Sequence, residues 1–186
     1  ESGALKLVLA FPSTYSIGIT SLGFQVIWAL LAQRTDIDVR RLFTDQKEKP
    51  HRICDLFGFS LSWELDGPIL LELLEQQGIP IWTHERGEHD PIVFAGGPVL
   101  TANPEPFAPF IDVVLLGDGE ELLPSFIDAI KETQNLSRQK RLIALAKISG
   151  IYIPSLYAPL YSNSGKLIAV NPIHADLPSS IKKQTW

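Results

Sequence analysis

Hydroxyl side chains and glycines gathered at four turns are the groups of this chain best suited to holding a ligand. The first turn is Ser13-Thr14-Tyr15-Ser16-Ile17-Gly18, with Thr20 and Ser21 close behind. The second is Ser60-Leu61-Ser62, the third Gly96-Gly97 and the fourth Gly117-Asp118-Gly119-Glu120. The hydroxyls of the first turn can form a polar cradle, or they can cap the helix that follows while Tyr15 packs against a sheet. Glycines at Gly96 and Gly97 allow positive φ or a close approach of backbone to a flat or bulky ligand, and they equally suit a plain exit turn. Asp118 and Glu120 either complement the start of the next helix or stand as a pair of carboxylates for acid–base work.

Other chemistries find less support. The fourth turn lacks the lysine and spacing of a phosphate-binding loop and falls short of the GxGxxG dinucleotide pattern. Trp63, Glu64 and Asp66 form either a ligand wall with an aromatic face or a helix cap beside a packed indole. The four histidines, His51, His84, His89 and His174, are dispersed and provide no metal-ligand spacing. Cys54, the one cysteine, precedes an apolar run and is expected to pack as a small apolar residue. A single cysteine also excludes an internal disulfide and a cysteine-held iron–sulfur cluster within the chain.

Each of the four turns closes a short apolar run, the pattern of strands buried in a parallel sheet. Strands are expected over Leu5–Phe11, Ile37–Leu42, Asp55–Phe59, Ile92–Ala95 and Val113–Leu116, the second alternating as an outer strand does. Helices are expected over Leu22–Gln33, from Asp66 to Gly78, over Glu120–Lys131 and over Ser137–Lys147. Residues 44–52 read as a connection and 79–90 as an insertion ending in a charged loop. The proline-rich stretch TANPEPFAPF reads as a loop with at most a turn or two of helix. From Ile151 the texture changes to a hairpin about Asn163-Ser164-Gly165, and after Pro172 to a linker. Strand–helix alternation implies an α/β sandwich, a flavodoxin-like (Rossmann-like) five-stranded parallel sheet of order 2-1-3-4-5, with a C-terminal β-hairpin appendage. In such sheets ligands lie outside the carboxyl ends of the strands, where all four turns fall.

The chain has 186 residues, 45% of them hydrophobic, enough for one sizeable core. A formal net charge of -5 and basic clusters limited to Arg40-Arg41, Arg138-Gln139-Lys140-Arg141 and Lys182-Lys183 argue against a nucleic-acid partner. No apolar run is long enough to span a membrane and no signal-peptide pattern is present, so a soluble cytoplasmic chain is expected. The sequence opens on Glu1 and contains no methionine, and we expect it to be a piece of a longer protein.

In combination the turns resemble the cobalamin-binding-type domain that precedes the catalytic barrel in many radical S-adenosylmethionine (radical SAM) proteins. Such domains carry Asp-x-His-x-x-Gly after the first strand, Ser-x-Leu after the third and Gly-Gly after the fourth. The matching positions here are Ser13-x-Tyr15-x-x-Gly18, Ser60-x-Ser62 and Gly96-Gly97, and the fourth turn is similar to the Gly-Glu-Gly-Glu of radical SAM members. The segments FPSTYSIGITSLGFQVIW, DLFGFSLSWEL, PIVFAGGPVLTANPEPFAPFIDVVLLGDGEE and GIYIPSLY further resemble one uncharacterised radical SAM subfamily over roughly residues 5–172. The resemblance implies a cobalamin-binding-like α/β domain over 1–150, a hairpin appendage over 151–173 and a linker over 174–186. It implies a partner, the radical SAM catalytic domain of the same polypeptide, where the iron–sulfur cluster and S-adenosylmethionine would reside. Cobalamin is the cofactor it implies for this segment, held by Ser13, Tyr15, Gly18, Ser60, Ser62, Gly96, Gly97, Gly117, Gly119 and Glu120.

Two departures bear on that cofactor. Tyr15 stands where the family places the axial histidine, and Ser13 where it places the partner aspartate. A phenol with an ordinary pKa near 10 is a poor cobalt ligand compared with neutral imidazole. Ser62 stands where the third-strand motif has leucine. One expectation is therefore a corrinoid held without a lower protein ligand, with any nucleotide tail in the cleft between the first and fourth strands. A bulky residue at Gly97 would test that placement. The other is a docking domain without corrinoid, packed on the catalytic barrel through Pro104-Glu105-Pro106 and an apolar patch of Tyr152, Tyr157 and Tyr161. A phospho-accepting receiver domain shares the topology, but Phe11-Pro12 and Phe59-Ser60 stand where its acidic cluster belongs. No nucleophile–base pair or metal cluster marks an independent enzyme.

Overall fold

A computed structural model describes residues 4–45 and 53–185; His51 and most of the 44–52 connection lie outside the described residues. The strands are β1 (Leu5–Ala10), β2 (Ile37–Leu42), β3 (Leu56–Ser60), β4 (Ile92–Gly96), β5 (Val113–Leu115), β6 (Ile151–Tyr152), β7 (Tyr157–Tyr161) and β8 (Leu167–Pro172). The helices are α1 (Tyr15–Gly18), α2 (Leu22–Ala32), α3 (Gly67–Gln76), α4 (Pro98–Ala102), α5 (Gly119–Glu132) and α6 (Arg138–Leu145). β1 to β6 form one sheet of order β2-β1-β3-β4-β5-β6, and β7 with β8 a separate two-stranded sheet.

The parallel part follows from the apolar runs. β5 is buried throughout, and β3 and β4 up to their last residues. Strands covered on both faces need apolar side chains in succession. β2 alternates because it is the edge. Its partner β1 sits in register from Leu5 opposite Ile37 to Ala10 opposite Leu42. Around the sheet, Pro68 lies in the first turn of α3, where a missing N–H costs nothing.

The sheet is one strand wider than the sequence suggests. Ile151–Tyr152 does not open the hairpin; it pairs antiparallel with β5 and covers what would be an exposed edge. The hairpin is β7 and β8 alone, closed by Ser162 N–H donating to the Lys166 carbonyl at 2.8 Å. The expected tyrosine patch divides accordingly. Tyr152 and Tyr157 are buried (6% and 8% exposed), and only Tyr161, at 55%, faces solvent. Tyr152 donates its hydroxyl to Glu105 Oε1 at 2.6 Å, and burial followed by that carboxylate raises its pKa.

The 79–90 segment is bound into the core by one arginine. The Arg86 guanidinium donates to the carbonyls of Pro80, Ile81 and Phe110 at 2.7–2.9 Å and to Asp112 Oδ2 at 2.9 Å. Asp112 Oδ2 also accepts from Arg138 at 2.7 Å and from Val93 N–H at 2.8 Å. One carboxylate thus joins the segment, β4 and α6.

A second ion network joins the turn after α2 to α5. Asp36 accepts from Arg34 Nε at 2.9 Å and from Lys131 Nζ at 2.6 Å, and Arg34 also reaches Asp128. The Arg34 hydrogen bond, then that of Lys131, holds the Asp36 carboxyl well below its ordinary value of 3.8. A depressed pKa contributes stability that is full above the unfolded-state value and is lost as pH falls from there through the lower folded-state value. The urea midpoint should therefore drop below about pH 4. In Asp36→Asn that part of the acid dependence should vanish, and equal acid slopes for both proteins would refute the assignment.

Candidate functional site

A cavity of about 750 Å³ opens at the carboxyl ends of β1, β3, β4 and β5, between α2 and α5. That volume falls within the range of small-molecule pockets, roughly 300–1,000 Å³. Leu9, Phe59, Phe94 and Leu115 line it from the strands, Ile27 from α2 and Leu123 from α5. Leu9, Phe94 and Leu115 share one face of the sheet, where the inner strands have no polar alternation. Hydroxyls of Ser21, Ser60, Ser62 and Thr101 also line it.

Seven of the ten expected residues come together here: Ser60, Ser62, Gly96, Gly97, Gly117, Gly119 and Glu120. Ser13, Tyr15 and Gly18 are not among the lining residues. Their loop is bound to the loop after β2 instead. The Ser13 carbonyl accepts from Thr44 N–H at 2.9 Å, and Tyr15 N–H donates to Asp45 Oδ1 at 2.7 Å. The Tyr15 ring stands edge-on to Phe43 at 5.2 Å, and Gly18 is buried beneath the Phe43 and Phe11 rings. Neither Thr20 nor Ser21 caps α2 with its side chain; the Thr20 hydroxyl donates to the Ile17 carbonyl at 2.7 Å.

Two of the glycines answer to the chain's own backbone. Gly97 has φ 122° and a Cβ there would overlap the Leu61 carbonyl; Gly117 has φ 116° and a Cβ would overlap the Gln184 carbonyl. Gly96 differs: a Cβ would lie in ordinary contact, 3.6 Å from the Leu115 carbonyl oxygen. Gly96 is therefore the position from which a side chain can be grown beside the cavity without straining the turn.

Thr101, Lys183 and Thr185 also line the cavity and were not expected to hold a ligand. The Thr101 hydroxyl accepts from Gly117 N–H at 3.3 Å, so α4 ties the third turn to the fourth. Thr101 is one turn beyond Gly97, a spacing that carries a signal. Lys183 and Thr185 come from the tail and carry none.

Among the described residues no histidine or cysteine lines the cavity. Among the described residues no group of three or more His, Cys, Asp or Glu is placed to hold a metal, and no helix is long and apolar enough to cross a membrane. His89 and Cys54 line a separate cleft of about 130 Å³ near the amino ends of β3 and β4. Burial pushes the Cys54 thiol up to about 12, which leaves it an unreactive core residue. Asp66 is at the start of α3 without a side-chain cap, and burial raises its pKa; Trp63 is exposed beside it.

No curated protein and no solved structure matches the chain. Residues 27–154 match the family described as radical SAM proteins, N-terminal. That span takes in β2 to β6 and, of the cavity, every expected residue named above. The chain belongs to the family of N-terminal domains of radical SAM proteins.

Proposed function

We propose that this domain is a ligand-presenting module for the catalytic part of the same radical SAM polypeptide, and that its ligand is a corrinoid held by the nucleotide tail. The observation that supports this reading is the cavity itself. It opens between β1 and β4 at the carboxyl edge, with apolar side chains to accept a heteroaromatic base and hydroxyls to meet a sugar or phosphate. When bound, a corrinoid supplies cobalt for group-transfer or radical chemistry carried out in the catalytic part. The donor set fits the tail and not the metal: among the described residues no side chain lining the cavity is a good cobalt ligand, and Tyr15 is engaged with Phe43 and Asp45. The residues that would hold the group are Ser60, Ser62, Thr101 and the Gly96–Gly97 backbone.

Titration with hydroxocobalamin, followed by desalting and cobalt analysis, should show stoichiometric retention with a base-off spectrum. Gly96→Phe should lower retention at least tenfold, because the ring fills the cavity while the backbone is unstrained. Equal retention by both proteins would refute the placement, and none by either would refute the cofactor.

A docking role without corrinoid is the second reading. It draws on Tyr15 and on glycines whose Cβ positions are taken up by Leu61 and Gln184. The rim loops expose Ile17, Leu22, Trp63 and Leu65, and the hairpin exposes Leu160, Tyr161 and Ile168. Apolar groups in such number suit a surface covered by the catalytic part.

A further inference from the structure

Gln184 is held in a socket at the end of β5. Its N–H donates to the Leu116 carbonyl at 2.9 Å, and its carbonyl accepts from Asp118 N–H at 2.8 Å, a parallel bridge centred on Gly117. Its side-chain Nε2 donates to Ser149 Oγ at 2.6 Å. Glycines stand on both sides of it. A Cβ at Gly117 would overlap the Gln184 carbonyl, and one at Gly150 would come within 2.7 Å of Gln184 Cγ. Upstream, Leu177 is buried and the Tyr157 hydroxyl donates to the Pro178 carbonyl at 3.0 Å. Successive side chains of an extended segment point in opposite directions. The bridge that turns Gln184 toward Ser149 turns Lys183 and Thr185 the other way, and both line the cavity.

We propose that Gln184 is a positioning residue: it staples residues 183–185 to the end of β5 as a wall of the cavity, so that filling the cavity and docking this segment stabilise each other. A ligand that touches Lys183 or Thr185 binds the docked arrangement more tightly and shifts the chain toward it. By reciprocity, whatever pulls on the segment beyond residue 185 changes the affinity of the cavity. The segment lies outside the matched 27–154 span. The inference rests on the reading that this cavity takes a ligand, and not on the ligand being a corrinoid.

The test combines amide exchange with a cavity probe in the full-length polypeptide. Exchange is read on peptides covering 116–118 and 182–185. The probe is 8-anilinonaphthalene-1-sulfonate, counting only the fluorescence that Gly96→Phe removes. Gly117→Ala takes the space of the Gln184 carbonyl, and Gln184→Ala removes only the bond to Ser149. Gln184→Glu can still accept from the Ser149 hydroxyl. Exchange in both peptides should rise at least tenfold in Gly117→Ala and by less in Gln184→Ala, with β1 and β3 unchanged. Probe affinity should weaken at least threefold in the same order, and Gln184→Glu should recover most of both. Unchanged exchange in both weakened variants, freed tails with unchanged probe affinity, or no Gly96-dependent fluorescence would each overturn the proposal. Loss of hydroxocobalamin retention alone, with the probe pattern intact, would refute the corrinoid and support the wall.

Discussion

Asp112→Ala should destabilise the chain by about 3–5 kcal/mol, the cost of stripping a buried charge of its partner. The Arg86 side chain is 0% exposed and Asp112 is 2% exposed, with the two 2.9 Å apart. Burial pulls the Arg86 guanidinium below its ordinary value, and Asp112 opposes that pull. Without the carboxylate the charge stays buried on three carbonyls, and Val93 N–H and Arg138 each lose an acceptor. Urea unfolding measures the loss as a lower midpoint at unchanged slope. Asp112→Asn, which can still accept from Val93, should cost less. A loss below about 1 kcal/mol for Asp112→Ala would mean that Arg86 is solvated as exposed ion pairs are.

Gly97→Ala should cost about 3 kcal/mol and Gly96→Ala less than about 1 kcal/mol, though the two glycines are neighbours. Gly97 has φ 122° and ψ 173°, backbone that a Cβ does not tolerate, and the added carbon would displace the Leu61 carbonyl. At Gly96 the new methyl meets only an ordinary contact, and the loss of freedom in the unfolded chain favours folding. Paired thermal unfolding curves decide this. Were Gly97 kept glycine for a ligand alone, both variants would melt together and differ only in binding. The bulky residue at Gly97 suggested by the sequence would thus confound folding with retention, and Gly96→Phe separates them.

The parallel sheet was legible because a strand buried on both faces leaves a compositional mark. LKLVLAF, LFGF, IVFA and VVLL need no periodicity to be recognised once each is followed within two residues by a small residue. Ile151–Tyr152 left no such mark: two residues carry no period, and their pairing depends on Leu116 N–H reaching the Gly150 carbonyl at 2.8 Å. Arg86 read as part of a solvated charged loop because its partner is 26 residues away. The turns were legible as a rim, and seven of their residues do line the cavity. What local sequence could not show is that the first turn is drawn aside by Phe43 and Asp45, residues of a different connection. Nor could it show that an unpatterned tail would return to line the cavity.

That return has a consequence for when the cavity exists. The five parallel strands are complete once residue 115 is available, but the wall at Gly117 needs residue 184. Synthesis proceeds at about 5–20 residues per second and amino-terminal parts fold first. The nascent sheet therefore spends several seconds with its carboxyl edge one side short. The cavity is finished only once residue 184 is free to pair, so anything that needs the closed cavity waits on the tail and not on the sheet.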